Sequence, residues 1–262
     1  MILEWSPHRL LSNERRTVSE ILARFIGTGD SESLDYYNTN LLVSTQAKNL
    51  LVDCGWTAKQ ALRDQGLTIK DIDAIFITHV HGDHVFGLER FGFESRYVHG
   101  GHRIKLYACE SVLDPLWNEC LKGCMGYSSD GKNELDDFFD IVPVSERFFW
   151  NGLGFEVFPT THTVGKPSFG VRLPGRFTFT ADTNAIPELS LIVQDDPYVF
   201  HDVYVSGDTH PAHATALELK RLYPSDLLGR IYAVHYGDDI MEQTHKLEGF
   251  AGWVRQGALF EW

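Results

Sequence analysis

Cysteine is scarce in this sequence, and the few cysteines do not form a disulfide pattern. The chain of 262 residues contains four of them. The only close pair is Cys120 and Cys124, which are separated by three residues rather than by the two of a typical metal or redox motif. Cys54 and Cys109 stand alone. We therefore expect reduced, partly buried thiols rather than a disulfide scaffold or a thiolate metal site.

Long hydrophobic runs are also missing. The segment from Met1 to Pro7 lacks the basic region followed by an apolar run that a secretory signal needs. No stretch of the sequence approaches the about 18 apolar residues of a membrane span. These two absences predict a cytoplasmic protein.

Basic residues are fewer than acidic residues in this sequence. The sequence has 23 lysines and arginines against 36 aspartates and glutamates, which gives a formal net charge of −13. Proteins that grip a long nucleic acid normally present a basic surface that displaces its counterions. The charge balance therefore disfavours long nucleic acids and favours a small substrate.

The length of the chain suits one large core. A chain of this size folds as one α/β-sized domain more often than as two. Residues 1–22 are weakly patterned and precede the first apolar strand, which we predict to begin at Ala23. We predict a single domain over residues 1–262, in which residues 1–22 form an N-terminal extension of unknown role.

The segment richest in chemistry is Thr78-His79-Val80-His81-Gly82-Asp83-His84, which follows the apolar run from Ile75 to Ile77. So many titratable groups cannot be buried in a core without partners. Imidazole and carboxylate ligands without thiolate suit zinc or manganese in a hydrolytic site that keeps positions open for water and substrate. We predict that His79, His81, Asp83 and His84 bind metal.

Other histidines and aspartates follow apolar strands elsewhere in the chain. His162, Asp182 and His235 each come directly after a predicted strand and lead into a polar turn. Residues at the ends of successive strands can meet at one edge of a sandwich core, so we predict that these three join the metal site. Asp53 closes the apolar run from Leu50 to Val52, where it either joins the site or caps the helix that follows.

The order of these residues resembles that of the metallo-β-lactamase superfamily from Ala23 to about Asp239. The resemblance implies an α/β fold, an αββα sandwich of two mixed β-sheets flanked by helices, with two Zn²⁺ ions, or alternatively Mn²⁺, at one edge. It assigns His79, His81 and His162 to one metal, Asp83, His84 and His235 to the other, Asp182 to a bridge between them, and Asp53 to a hydrogen bond that orients the ligands.

The finer resemblance is to the phosphodiesterase branch that contains ribonuclease Z. It is carried by five features: Gly27-Thr28-Gly29, Leu51-Val52-Asp53-Cys54-Gly55, the continuation of the histidine-rich segment into Gly87-Leu88, Phe200-His201-Asp202 and His213-Ala214-Thr215. In ribonuclease Z a long arm that grips tRNA lies between the equivalents of His162 and Asp182. Here only nineteen residues, 163–181, separate the two positions. We therefore expect a small substrate in place of tRNA.

A phosphodiesterase of this branch without the arm is similar to the cyclic-nucleotide phosphodiesterases, among them the anti-Pycsar enzymes of bacteriophages. The resemblance implies hydrolysis of 3′,5′-cyclic nucleotides by a metal-bridging hydroxide, a role in evading anti-phage defence, and a homodimer. Three alternatives remain open: an RNA 3′-end endonuclease like ribonuclease Z, a thioester or lactone hydrolase on the same fold, and a metal-stabilised protein that binds a nucleotide without turnover.

Expulsion of a ribose oxygen requires a proton, and His213 is the predicted donor. A histidine whose pKa lies near the working pH can act as a general acid, and Asp202 would keep this imidazole protonated. The alternative is that His213 merely caps the following helix. His201 and His210 are rival donors and candidate substrate contacts. Asp83 counts as a catalytic residue as well as a metal ligand.

Aromatic residues in loops are candidates for contacts with a nucleobase. They are Tyr36, Tyr37, Trp117 and Tyr127. The last of them lies in the segment from Gly123 to Asn133, which is rich in glycine, serine and aspartate. We predict that this segment is a surface loop.

Overall fold

The computed structural model describes residues 21–46 and 48–262. The proposed N-terminal extension therefore lies outside the described residues, except for Ile21 and Leu22, which belong to the first strand. The described residues form sixteen strands: β1 Ile21–Gly27, β2 Asn40–Thr45, β3 Lys48–Val52, β4 Ala74–Ile77, β5 Ile104–Cys109, β6 Tyr127–Ser128, β7 Gly131–Lys132, β8 Phe139–Val144, β9 Arg147–Trp150, β10 Leu153–Thr160, β11 Ser168–Leu173, β12 Phe177–Phe179, β13 Tyr198–Asp202, β14 Ile231–Val234, β15 Gly252–Trp253 and β16 Leu259–Glu261.

Fourteen of these strands form two mixed sheets of seven strands each, and β6 and β7 pair separately. The first sheet has the order β16-β1-β2-β3-β4-β5-β8, in which β3, β4, β5 and β8 are parallel and the other neighbours are antiparallel. The second has the order β15-β14-β13-β12-β11-β10-β9, in which the first four strands are parallel and the rest are antiparallel.

The two sheets pack face to face through buried aromatic rings. The ring of Phe25 on β1 lies 4.7 Å from that of Phe200 on β13 and 6.0 Å from that of Phe179 on β12, measured between centroids. Phe76 on β4 stacks on Phe148, with 5.1 Å between centroids. Edge-to-face and stacked pairs of this kind add to the stabilisation that comes from burying the rings. Aromatic pairs of this kind lie within a core that is otherwise mostly aliphatic.

Helices cover the outer faces of the sheets. They are α1 Ala58–Asp64, α2 Gly82–Val85, α3 Leu88–Phe93, α4 Glu110–Pro115, α5 Lys122–Met125, α6 Leu189–Val193, α7 Ala216–Leu222, α8 Ser225–Leu228 and α9 Ile240–Gln243, with short 3₁₀ turns at Ile69–Asp71, Leu135–Asp137 and Thr244–Leu247 and π-helical turns at Glu94–Val98 and Leu116–Leu121. Because successive side chains of a strand alternate between faces, Val199 packs with Leu219 of α7 while Phe200 faces the other sheet. None of the described helices has the length and apolarity needed to cross a membrane. The predicted αββα sandwich is confirmed.

The four cysteines are free thiols, as predicted. Cys54 and Cys109 are buried, Cys120 is half-buried and Cys124 is exposed. Burial raises the pKa of the Cys54 thiol well above its usual value, and the neighbouring Asp53 charge adds to the effect. A thiol that stays protonated is a poor nucleophile and a poor metal ligand, so Cys54 has a packing role.

The prediction of a surface loop from Gly123 to Asn133 is wrong for most of its length. Helical structure continues without a break from Glu110 to Met125, and β6 and β7 then form a short hairpin. Met125 is fully buried, and its methyl group would lie 2.7 Å from a Cβ added at Gly92. Burial of Met125 stabilises the end of this helix, although the glycine-rich composition suggested a loop.

The residues between His162 and Asp182 contain two strands of the second sheet. They form β11 and β12, which pair with each other from Val171 to Phe179. The described residues 163–181 therefore contain a hairpin within the sheet in place of a projecting arm.

Candidate metal centre

The predicted ligands lie where strands of both sheets end at one edge. β4 leads into the segment from His79 to His84, and β10 ends two residues before His162. Asp182 follows β12, and His235 follows β14 directly. Two sheets packed face to face thus bring residues more than 150 positions apart into one cluster.

The backbone is strained at this edge. Asp53, Ala181 and His235 have positive φ angles of 63°, 51° and 59°. Non-glycine residues in this left-handed region cost about 1 kcal/mol or more each and persist when their surroundings fix them. Each of the three lies at or beside a predicted ligand, so the strain aims these side chains into the cluster.

The first group of ligands contains only histidines. His81 Nδ1 lies 3.2 Å from His79 Nε2 and 3.0 Å from His162 Nε2. Burial lowers the pKa of His79 well below its usual value, and burial together with the His162 charge lowers that of His81 to about 4. The imidazoles of His79 and His81 are therefore neutral at physiological pH, which is the form that binds metal.

The second group contains Asp83, His84, Asp182 and His235, whose ligand atoms all lie within 4.8 Å of one another. Asp182 Oδ2 lies 3.1 Å from His235 Nε2 and 3.3 Å from His84 Nε2.

Asp182 also reaches the first group, because the same oxygen lies 3.8 Å from the Nε2 atoms of both His79 and His162. Burial opposes ionisation of Asp182, but the charges of His235 and His84 outweigh it and hold the pKa of this carboxyl well below its usual range. Asp182 is thus an ionised carboxylate between the two groups.

The residues present fit two divalent metal ions. His84 Nε2 and Asp182 Oδ1 are buried and have no hydrogen-bond partner among the described residues. A buried polar atom without a partner costs about 1–3 kcal/mol, which coordination to a metal would remove. Nitrogen and oxygen donors without sulfur suit zinc or manganese.

Asp53 lies behind the ligands and contacts one of them. Its carboxylate accepts hydrogen bonds from the Thr78 backbone N–H at 2.9 Å and lies 2.8 Å from His84 Nδ1. A proton held on Nδ1 leaves His84 Nε2 free as a ligand. Helix α1 is preceded by Thr57, so of the two alternatives the structure places Asp53 against the cluster and not at the helix cap.

Gly55 lets the ligand segment pack directly on the end of β3. A Cβ added at Gly55 would lie 2.0 Å from the carbonyl oxygen of Asp83, so a side chain there would displace this ligand. The Cys54 backbone N–H donates to the His84 carbonyl at 2.7 Å. The close approach at Gly55 explains why the motif has glycine two residues after Asp53.

His213 and Asp202 form a hydrogen-bonded pair beside the ligands. His213 Nδ1 lies 2.6 Å from Asp202 Oδ2, and the Thr183 backbone N–H donates to the same oxygen at 2.9 Å. The His213 ring lies 4.8 Å from that of His162 and 5.2 Å from that of His235. Burial disfavours the charged form of His213, but Asp202 outweighs burial and raises the pKa of His213 to about 9.

His213 does not cap the following helix, contrary to the alternative considered from the sequence. Helix α7 begins at Ala216, and the Thr215 hydroxyl accepts a hydrogen bond from the Glu218 N–H at 3.2 Å. Thr215 is therefore the cap, and the His213 side chain faces the ligand cluster.

His201 does not join the site. Its ring is fully buried, with Nε2 3.3 Å from the Tyr223 hydroxyl. Because His201 and Asp202 are successive residues of β13, they point to opposite faces of the sheet. The prediction that His201 contacts substrate or donates a proton is therefore wrong.

His210 does lie beside the pair. Its ring is 4.6 Å from that of His213, and its Nδ1 accepts hydrogen bonds from the backbone N–H groups of Ala212 and His213 at 3.2 and 3.1 Å. The proton of the neutral ring must then be on Nε2, which leaves an N–H donor. Its contact with substrate stays a prediction.

The four aromatic candidates for a base contact are scattered. Trp117 is buried, and its indole N–H donates to Glu134 at 2.8 Å, so it cannot stack on a ligand. Tyr36 packs edge-on against Tyr236, and the Tyr37 hydroxyl donates to Asp64. The fourth, Tyr127, is exposed on β6.

Comparison with known proteins agrees with this geometry. The family model described as "Anti-Pycsar protein Apyc1" matches residues 22–260. An anti-Pycsar protein Apyc1 of Saccharibacillus brassicae is 34% identical over 243 residues, which cover 90% of this chain and 98% of that protein. A protein of the same name from Bacillus phage vB_BsuM-Goe3 is 32% identical over 231 residues, which cover 83% of this chain and 89% of that protein.

Solved structures with low sequence identity share the fold. The metallo-β-lactamase fold protein YhfI from Bacillus subtilis superimposes with a TM-score of 0.73 at 16% identity and covers 94% of this chain and 100% of its own. The predicted metallo-β-lactamase fold is therefore confirmed. With a family match over nearly its whole described length, the chain belongs to the anti-Pycsar protein Apyc1 family.

Proposed function

We propose that the protein is a metal-dependent phosphodiesterase that hydrolyses 3′,5′-cyclic nucleotides. The observation that carries the proposal is the hydrogen-bonded pair of buried Asp202 and half-buried His213 beside a cluster of side chains suited to binding metal. Hydrolysis of a phosphodiester with an alkoxide leaving group needs both a nucleophile and a proton donor. A metal-storage or purely structural site needs no such donor.

The chain offers ligands for two divalent ions, zinc or manganese. His79, His81 and His162 would hold one, Asp83, His84 and His235 would hold the other, and Asp182 would contact both. When bound, such ions neutralise the charge of a phosphodiester, polarise its phosphoryl oxygen and lower the pKa of a water so that it attacks at neutral pH.

His213 is the residue that we assign to proton donation. Asp202 holds the proton on Nδ1, which leaves Nε2–H to donate to the departing ribose oxygen. The Thr183 N–H donates to the same oxygen of Asp202 that contacts His213, so a buried carboxylate held by the backbone orients the imidazole. His210 Nε2–H is a second donor, placed to bind a phosphate oxygen.

The family membership and the shortness of the β11–β12 hairpin support a small substrate. The relatives are named anti-Pycsar proteins, and the resemblance links this group with cyclic-nucleotide phosphodiesterases and with evasion of anti-phage defence. Residues 163–181 hold only a short turn and the β11–β12 hairpin, which leaves no room for a tRNA-binding arm in this described segment. The net charge of −13 also disfavours RNA.

The substrate class is tested by a direct comparison. We expect the protein supplied with zinc or manganese to convert 3′,5′-cyclic nucleotides to linear monophosphates and to leave a pre-tRNA uncut, because its net charge of −13 disfavours binding of a long polyanion. Products are identified by chromatography and gel electrophoresis. Efficient 3′-end cleavage of the pre-tRNA, or hydrolysis of thioesters or lactones with cyclic nucleotides untouched, would refute the proposal.

A further inference from the structure

The motif Gly27-Thr28-Gly29 follows β1 and supplies no metal ligand. Its glycines permit close packing of the backbone. A Cβ added at Gly27 would lie 2.0 Å from the carbonyl oxygen of Asn38, and one added at Gly29 would lie 2.8 Å from the Cβ of Ser33. Neither glycine has a positive φ, so both are needed for space and not for a left-handed turn.

The threonine of this motif contacts the residue that follows the predicted ligand His235. The Thr28 hydroxyl lies 2.8 Å from the Tyr236 hydroxyl, which donates to the Val254 carbonyl at 2.6 Å. Because the Tyr236 proton is directed at Val254, Thr28 is the donor in the first contact. Both side chains are buried. A chain of hydrogen bonds therefore joins three segments of the sequence behind His235.

Backbone hydrogen bonds reinforce this contact. The Thr28 carbonyl accepts a hydrogen bond from the Tyr236 N–H at 3.3 Å, and the Asp30 N–H donates to the Tyr236 carbonyl at 3.2 Å. Gly29 and Tyr236 thus form a single parallel β-bridge. Strand β1 belongs to the first sheet, and β14, which ends just before His235, belongs to the second. The residue after His235 is therefore fixed between the two sheets.

The ring of His235 is not oriented by a hydrogen bond of its own. Its Nδ1 is buried and has no hydrogen-bond partner among the described residues. In contrast, Nδ1 of His84 lies 2.8 Å from Asp53, and Nδ1 of His162 lies 2.9 Å from the Ala212 carbonyl. Such a partner normally fixes the orientation of a metal-binding imidazole. The orientation of His235 must then come from its backbone, which has a strained φ of 59°.

We propose that Thr28 and Tyr236 form a clamp that positions His235 for metal binding, in place of a hydrogen bond to its ring. The inference rests on the metal site of the proposed function and does not depend on the substrate. Tyr236 acts through the backbone of its neighbour, so it is a positioning residue and not a ligand. Without the clamp the strained backbone of His235 would relax, and Nε2 would leave its place 3.1 Å from Asp182.

The test measures zinc binding by titrating the metal-free protein in competition with a chromogenic chelator. Tyr236→Phe and Thr28→Val each remove one hydroxyl and keep the shape of the side chain. Each should weaken the binding of one ion by about 10 to 100-fold and leave the other nearly unchanged. Thr28→Ser keeps the hydroxyl and should bind both ions normally. Tyr107→Phe, which removes a buried hydroxyl that contacts the Phe149 carbonyl, is the matched control.

A double variant separates the clamp from a general effect on the fold. In His235→Ala the positioned ligand is already missing, so adding Tyr236→Phe should cause no further loss of zinc affinity. A further loss in that background, or equal weakening of both ions by Tyr236→Phe, would refute the clamp.

The remaining outcomes separate the clamp from the function on which it rests. If the unmodified protein binds two ions and both hydroxyl variants bind them equally well, the clamp alone is refuted. If the unmodified protein binds no zinc or manganese, the proposed function falls with it. Should Tyr236→Phe fail to fold, Thr28→Val tests the same hydrogen bond from its other end.

Discussion

Replacing Asp182 by alanine should abolish turnover of cyclic nucleotides, with a loss of at least about 10³-fold in kcat/KM. One oxygen of Asp182 lies within 3.8 Å of histidine nitrogens in both ligand groups, and no other carboxylate in the cluster reaches both. Its removal should therefore weaken both metal sites at once. Because bound metal contributes to the free energy of folding, the variant should also unfold at a lower temperature.

The measurement combines steady-state kinetics, metal content and thermal unfolding on the same preparations. Asp195→Ala, which removes an exposed aspartate away from the cluster, should retain activity, metal and stability. An Asp182→Ala protein that stays active, metal-loaded and as stable as its parent would show that the ligand assignment is incorrect.

His213→Ala should slow hydrolysis of a cyclic nucleotide by about 10² to 10⁴-fold while the metal content stays unchanged. The ribose alkoxide is a poor leaving group and depends on the proton that His213 donates. The same variant should slow hydrolysis of bis(p-nitrophenyl) phosphate by less than about 10-fold, because nitrophenolate leaves without protonation. Rates on the two substrates and elemental analysis of the variant provide the comparison.

Two further variants sharpen this test. Asp202→Asn keeps the shape of the partner but removes its charge, so it should reproduce the leaving-group dependence of His213→Ala to a smaller degree. His245→Ala removes an exposed histidine and serves as the control. Equal losses on both substrates, or loss of a metal ion, would assign His213 to metal binding, which its distance from His162 and Asp182 also permits.

The metal cluster was accessible from the sequence because its signal is local. Each ligand follows an apolar strand, and the density of histidine in the segment from His79 to His84 has no structural explanation in a core. The role of Asp53 was harder to predict, since an aspartate that follows a strand can equally well cap the next helix. Its contact with His84 decides between the two, and Thr78, which the sequence analysis did not single out, completes that contact.

The predictions from the sequence failed where tertiary packing, and not the local sequence, determines the structure. His201 and Asp202 are adjacent polar residues at a strand end, and only the register of β13 determines which of them faces the ligands. Trp117 and Met125 lie in a polar, glycine-containing stretch, but burial of both extends the helix. The contact between Thr28 and Tyr236 joins residues 208 positions apart, so no local pattern identifies it.

Catalysis should require metal ions held by both ligand groups. The direct test removes metal from the protein with a chelator, returns zinc or manganese in steps, and follows bound metal and hydrolysis of a cyclic nucleotide together. We predict no activity in the metal-free protein and a maximum at about two bound ions per chain. Full activity without metal, or a maximum at one ion per chain, would contradict it.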